Sequence, residues 1–541
     1  MKIKIKKQIV IPILALTFLV VASGFKSDFF EIAKQIEIFT TLFKELNMNY
    51  VDETNPAELM DSAIKNMLDD LDPYTQFLNE QDVESYKINN TGEYSGIGAL
   101  VRSFESKLLI VEPYKGYAAD KAGLKAGDEI IKIGETKVAD FDDNASELLK
   151  GANNSSVEVT YVRQGETKTT TITREAIEVD AVPYYDMVDD KTGYIVLSRF
   201  NRKASQQTKS AMQDLKGRGA EKLILDLRGN PGGLLSEAIN VTNLFVDKGE
   251  LIVTTKSKVK KFNQEYRTNN KAEDLEIPLV VLINGRSASA SEIVSGGLQD
   301  LDRAVVVGAR SFGKGLVQRP LKLTYGTQLK VTISRYYTPS GRCIQSLDYW
   351  NRDAEGNAVR NTNFTEFKTK NGRKVWDGGG VMPDIEINTL QTNTLIDALE
   401  NNQIVFDFAT DYYYDHTFSS VDEFAFTNAD YMAFKKYVQE QNFTFQTKTE
   451  TLLEQSINAD ESLLGNDVQD KYKDLLLAVN RSKFAALDSF QPEIQKNLED
   501  EIIVRYFYRD GLYKYYLSHD DAILTAKELL ANTSKYESIL K

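Results

Sequence analysis

Three serines at alternate positions, Ser287, Ser289 and Ser291, lie between an apolar run, Leu279–Ile283, and a stretch of helical character over about 290–298. A serine displayed where a strand turns into a helix is well placed to be a nucleophile. The first amides of the helix point outward without intrahelical acceptors, and its dipole favours negative charge there. Lys314 follows Ser289 by 25 positions, between Gly313 and Gly315 and just after a second apolar run at 304–307. A lysine acts as a base only when uncharged, so its pKa must fall from about 10.4 towards neutral by desolvation. The flanking glycines and apolar Phe312, Leu316 and Val317 are suitable surroundings for that. A hydroxyl and a desolvated amine together can perform acyl transfer.

Two other readings compete at this corner. Ser289-Ala290-Ser291-Glu292 has the spacing of a helix capping box, which accounts for one serine and one glutamate but not for Lys314. Gly308 to Gly315 nearly matches the phosphate-cradling pattern GxxxxGK[ST]. Gly315, however, lacks the hydroxyl that would bind magnesium, and 316–323, with Pro320, reads as strand rather than helix. Nucleotide binding is therefore not expected.

Composition narrows the chemistry. His416 and His519 are the only histidines and both lie in the last third, so a base at the serine corner is more readily Lys, Glu or Asp. Cys343 is alone, which excludes an internal disulfide and a thiolate zinc cluster. No metal and no cofactor are expected. The 65 basic against 79 acidic side chains leave a net charge of −14, which argues against nucleic acid as a partner.

A chain of 541 residues needs three or four folded units to place these groups. Lys2, Lys4, Lys6 and Lys7 followed by an apolar run and Ala22-Ser23-Gly24 have the plan of an export signal. Residues 1–25 are thus a signal peptide or membrane anchor, the choice open, and the bulk of the chain is placed outside the cytoplasm, in the periplasm or cell envelope. Residues 26–90 read as helical: Phe29, Ile32, Ile36, Phe39, Phe43 and Leu46 fall on one helical face, and a second helix is suggested over 56–68.

Short strands and glycine turns fill 91–177. Their order, with Ala122-Gly123-Leu124-Lys125-Ala126-Gly127-Asp128, resembles a PDZ domain. Such modules take a peptide as an added strand and hold its terminal carboxylate on loop amides. The matching loop here carries Gly96, Ile97 and Gly98.

Residues 178–388 alternate strand and helix and predict a mixed α/β layer. Within it, Arg228-Gly229-Asn230-Pro231-Gly232-Gly233 forms a glycine-rich strand-to-helix turn whose amides could hold an anion. Residues 350–374 are polar and predict a surface loop or hairpin. Residues 389–541 are largely helical, with candidate helices at 393–409, 431–439, 467–479 and 494–517; the aromatics at 412–414 and 503–516 are expected in core or interface.

From 71 to 387 the chain resembles the C-terminal processing (tail-specific) serine proteases. The resemblance rests on Leu71-Asp72-Pro73-Tyr74-Thr75, the PDZ glycines, Leu225 to Gly233, Ser287 to Glu292, Gly313-Lys314-Gly315-Leu316-Val317-Gln318, Tyr336 to Arg342 and Gly379 to Asp384. It implies a multidomain α/β fold: a mixed α/β protease core, an inserted PDZ domain and a mainly helical C-terminal region. It implies Ser289 as nucleophile, Lys314 as base and Gln318 as the residue orienting the lysine. The oxyanion would sit on the amides of Ala290 and Gly232, with Gly233 as the alternative glycine, and Asp300 would give structural support. The expected partners are polypeptide C-termini, with an adaptor or homo-oligomer contact through the C-terminal region. A catalytically inactive PDZ scaffold of the envelope is the competing expectation.

Overall fold

The computed structural model describes residues 27–541 except 105, 106, 142, 143, 355, 388–392, 442 and 460–464. The expected export segment lies outside the described residues. The chain divides into two compact units, Met1–Leu78 with Pro320–Val331, and Asn79–Arg319 with Thr332–Lys541.

In the first unit, helix Ser27–Asn49 is followed by helix Pro56–Asp69. Asn55 caps the second helix by accepting the amides of Ala57 and Glu58, and Pro56 takes the first position, where no amide is needed. The helical face foreseen from Phe29 onward is formed but not covered: Phe29 is 76% and Ile36 61% exposed. Asp72 Oδ1 then accepts the amides of Tyr74 and Thr75 at 2.9 and 3.0 Å. That turn delivers strand Gln76–Leu78, which pairs antiparallel with Gln328 to Lys330.

The second unit is built on a six-stranded sheet. Its order is Tyr184–Asp189, Thr192–Val196, Lys222–Asp226, Leu279–Ile283, Val305–Gly308 and Ile385–Glu386; the first pair is antiparallel and the rest parallel. Strand Leu279–Ile283 is apolar and buried at every position, and its neighbour is so over 223–225, the signature of a sheet buried on both faces. Leu223, Leu225, Leu279, Val281, Ile283 and Val306 pack on one side with helices Ala204–Gly217, Leu235–Asn243 and Ala290–Asp300. Ile224, Val280, Leu282, Val305 and Val307 point to the other side.

The cover for that second side comes from the end of the chain. Helices Asp521–Ala531 and Thr533–Leu540, which the pattern of the sequence did not single out, lay Ile523, Leu529, Leu530 and Tyr536 on the sheet. Burying each such side chain contributes roughly 1.5–3 kcal/mol. The Tyr536 hydroxyl also accepts the Leu279 amide at 2.9 Å and donates to the Leu279 carbonyl at 3.1 Å. The C-terminal region is therefore not only an appended helical body but part of the α/β layer structure. Its own core, from Leu395 to Leu512, includes the expected Tyr412 and Ile503. The helix foreseen over 393–409 is two helices, Thr394–Asn401 and Ile404–Asp415, broken at Gln403 with φ 60°.

Strands Ala99–Phe104, Lys107–Pro113, Glu129–Ile133, Ser156–Arg163 and Glu166–Thr173 make the PDZ sheet, with Ala99–Phe104 at its edge. The polar stretch beyond Trp350 forms two small hairpins, Leu347–Arg352 with Ala358–Arg360 and Glu366–Lys368 with Lys374–Trp376.

Candidate active site

Ser289 stands at the N-terminus of helix Ala290–Asp300 with φ 56° and ψ −109°. This backbone conformation is strained for any residue with a Cβ and persists only where its surroundings impose it. They do so from both sides of the residue. The Ser289 amide donates to Glu292 Oε2 at 2.7 Å. Its carbonyl accepts the amides of Glu292 and Ile293 at 2.9 and 3.0 Å and the Tyr336 hydroxyl at 3.2 Å.

The neighbouring serines are committed elsewhere. Ser287 Oγ donates to the Leu227 carbonyl at 2.8 Å and accepts the Asn284 amide at 2.9 Å. Ser291 Oγ donates to the Asn230 carbonyl at 2.9 Å. Both are fully buried, whereas Ser289 is partly exposed. Of the three candidates, only Ser289 combines a strained corner with access to solvent.

Glu292 does more than close the end of the helix. Its buried carboxylate also accepts Ser311 Oγ at 2.5 Å, the Gly313 amide at 2.7 Å and the Lys314 amide at 2.9 Å. Burial pushes this carboxyl above its ordinary range, against the pull of the donors around it. One side chain thus fixes the backbone of both Ser289 and Lys314. The sequence offered Glu292 only as a capping residue; the position of the glycine-flanked lysine loop beside it was not readable from spacing.

Lys314 is half-buried in a loop whose Phe312 amide donates to the Ser287 carbonyl at 3.0 Å and whose Gly315 amide donates to Gln345 Oε1 at 2.8 Å. Leu316 supplies apolar burial at 2% exposure, but Phe312, expected to do the same, is 45% exposed. Gln318 lies on the next strand, Leu316–Lys322, with its Nε2 donating to Thr332 Oγ1 at 3.2 Å. Asp300 is buried against Arg342 at 2.8 Å and accepts the Ser340 amide at 3.0 Å.

The glycine turn meets the serine corner closely. The Asn230 carbonyl accepts the Ala288 amide at 3.0 Å, and Asn230 Nδ2 donates to the Leu197 carbonyl at 2.7 Å. Gly232, the glycine favoured for the oxyanion pocket, donates its amide to Asn230 Oδ1 at 2.9 Å. Among the described residues the amides of Ala290 and Gly233 meet no protein acceptor. A Cβ at Gly232 would stand 3.0 Å from the Ala290 nitrogen and 2.9 Å from Ser289 Cβ. The absence of a side chain at 232 is what leaves room beside the Ala290 amide.

In the PDZ loop, Gly98 has φ 71°, and a Cβ there would lie 2.4 Å from Tyr117 Cβ. Ile97 buries its side chain in the PDZ core, so only its backbone can face a ligand. Gly96 ends strand Glu93–Gly96. His416 and His519 stack on Tyr412 and Tyr515 in the helical region. No group of three or more His, Cys, Asp or Glu able to hold a metal occurs among the described residues.

Residues 191–349 match peptidase family S41, residues 95–173 a PDZ domain, and residues 395–530 the probable PDZ-protease C-terminal helical domain. The carboxy-terminal-processing protease of Bartonella bacilliformis is 37% identical over 323 residues, 58% of this chain and 73% of that protein. The chain belongs to the carboxy-terminal-processing protease family. The carboxy-terminal processing protease CtpA of Bacillus subtilis is 34% identical over 305 residues, 56% of this chain and 65% of that one. Among solved structures, a photosystem II D1 C-terminal processing protease aligns at 27% identity, with a TM-score of 0.36, over 66% of this chain and 94% of that chain. As a carboxy-terminal-processing protease, this chain is a serine-type peptidase that joins an S41 core to a PDZ domain and a helical C-terminal region.

Proposed function

We propose that this carboxy-terminal-processing protease is exported and cleaves polypeptides through a Ser289–Lys314 dyad, after its PDZ domain has captured the substrate's C-terminal tail. The observation that carries the proposal is the division of labour among the serines: Ser287 and Ser291 are bound to the carbonyls of Leu227 and Asn230, while Ser289 is held strained and partly exposed. Glu292 supports it by tying the backbones of Ser289 and Lys314 to one carboxylate.

In this mechanism the neutral Lys314 amine takes the Ser289 proton, and Oγ attacks the scissile carbonyl carbon. The resulting oxyanion is held by the Ala290 amide and by a glycine amide of the 232–233 turn. Gly233 can donate without rearrangement; Gly232 would first have to leave Asn230 Oδ1. Collapse breaks the C–N bond, and the lysine ammonium returns the proton to the leaving amine. A water deprotonated by Lys314 then releases the acyl group as a new C-terminal carboxylate. Gln318 can orient the lysine without adding a charge that would retain its proton.

The tail would add as a strand to the edge at Ala99–Phe104, with its carboxylate on the amides of the Gly96–Ile97–Gly98 loop. Export is supported by the basic and apolar N-terminal segment, acting as signal or as anchor. Among the described residues no helix is long and apolar enough to cross a membrane.

The test is turnover of an unstructured protein with an apolar C-terminus. Wild type should degrade it, and Ser289→Ala and Lys314→Ala should each fail while remaining folded. Equal turnover by all three dismisses the dyad, and none by wild type favours a binding scaffold.

A further inference from the structure

The glycine turn beside the nucleophile is held from a second direction, by a residue more than 280 positions away in sequence. Strand Lys222–Asp226 ends in Asp226, whose Oδ1 accepts the Arg228 amide at 2.9 Å, closing a short loop that redirects the chain towards Asn230. The Arg228 guanidinium folds back onto the same carboxylate, with Nη2 to Oδ2 at 2.7 Å, and the buried Tyr194 hydroxyl donates to Asp226 Oδ2 at 2.7 Å. The remaining fork of the guanidinium, Nη1, donates to both carboxylate oxygens of Asp520 at 2.8 Å. Asp520 is nearly buried and at the same time caps helix Asp521–Ala531 by accepting the amides of Ala522 and Ile523, both at 3.1 Å. It directly follows the helical segment Gln491–His519, which is kinked at Tyr508 (φ 59°, ψ −172°) and touches the PDZ domain there: the Tyr508 hydroxyl donates to Asp120 at 2.7 Å and Arg509 Nε to Glu112 at 2.9 Å.

Asp226 would suffice to neutralise Arg228. A second carboxylate on the same guanidinium removes its freedom to swing, and with it the freedom of the backbone that leads into Asn230 and the two glycines. A buried arginine clamped by two carboxylates in fixed geometry is a directional fixture rather than a net gain in stability.

We infer that Asp520 is a positioning residue for acyl transfer: through Arg228 it fixes the glycine turn at which the oxyanion forms, so the C-terminal region contributes to the rate of chemistry as well as to the fold. This rests on the dyad reading given above. The informative variant is Asp520→Asn, because asparagine caps a helix as well as aspartate does but removes the charge and sets an amide donor in place of one of the two oxygens that accept Arg228 Nη1.

The measurements are kcat and KM on a peptide ester, normalised to sites labelled by a fluorophosphonate probe, with hydrogen exchange of the segment 227–235. For D520N the expected result is a kcat lower by about 10-fold with KM little changed. This is less than the 100- to 1,000-fold that follows complete loss of an oxyanion donor. Exchange in 227–235 should be faster, while that of the PDZ strands stays as in wild type. If kcat per labelled site is unchanged, or if exchange in 227–235 is unchanged, the inference is overturned. Absence of Ser289-dependent turnover in wild type would instead defeat the dyad reading, and this inference with it.

Discussion

Asn230 Oδ1 accepts the amide hydrogen of Gly232 at 2.9 Å. The bond occupies the Gly232 amide, whereas the amides of Ala290 and Gly233 meet no acceptor among the described residues, so on the proposed mechanism these two are the ready oxyanion donors. A methyl at 232 would stand 3.0 Å from the Ala290 nitrogen, at a φ of 103°. Gly232→Ala should therefore lower kcat by about 100- to 1,000-fold while fluorophosphonate labelling of Ser289 slows in parallel. Turnover like that of wild type would show that the oxyanion sits elsewhere.

The serine corner predicts an asymmetry between adjacent hydroxyls. Ser289→Ala should abolish turnover with little change in Tm. Ser291→Ala removes a buried bond to the Asn230 carbonyl, so it should cost about 1 kcal/mol of stability and retain measurable turnover. Thermal unfolding and a protein-degradation assay on the two variants check this.

Glu292→Gln replaces an acceptor for four donors with a group having one acceptor oxygen and an amide that itself donates. Each buried donor left without a partner costs about 1–3 kcal/mol. A clear fall in Tm is expected, with kcat lowered more than 10-fold in the fraction that remains folded, because the backbones of Ser289 and Lys314 lose their common anchor. Denaturant unfolding and site-normalised kinetics would measure both.

Burial opposes ionisation of Asp520, but the Arg228 guanidinium and the Ile523 amide outweigh it, and the carboxyl lies below its ordinary range. A depressed carboxylate stabilises the fold at pH values above the unfolded pKa, about 3.9, and that contribution is lost as pH falls through the folded value. The stability difference between wild type and Asp520→Asn should thus be constant from neutrality to about pH 5 and shrink on further acidification. Urea unfolding at a series of pH values tests it, and a difference that grew in acid would contradict the assignment.

At Gly98 the backbone is left-handed and any Cβ meets Tyr117 at 2.4 Å. Gly98→Val should weaken binding of a C-terminal tail peptide and slow protein degradation while leaving hydrolysis of a small ester nearly intact. Equal losses on both substrates would count against tail capture by the PDZ domain.

Much of this was legible from local signals. Strand runs such as Leu279–Ile283 and the helix beginning at Pro56 each state their own structure over a few residues. The missed features are those in which distant segments complete one another. That the Asn230 side chain turns back to accept the Gly232 amide could not be read from spacing. Glu292 looked like a cap because the lysine loop beside it is brought there by the rest of its helix and the strand Val305–Gly308. Phe312 looked like a source of dryness, yet the loop turns it outward. Nothing in the local pattern of 521–540 says that its apolar side chains meet the sheet strands of 194–196, 222–226 and 279–283.

The helices that seal the far side of the central sheet are synthesised after all of the strands they cover. Until they emerge, Ile224, Val280, Leu282, Val305 and Val307 lack the cover that Ile523, Leu529, Leu530 and Tyr536 give them, and the carboxylate that steadies Arg228 has not yet been made. On the dyad reading, the order of synthesis therefore acts as a safety catch: a copy made only as far as the sheet strands already carries Ser289 and Lys314 but still lacks the pieces that would arm them.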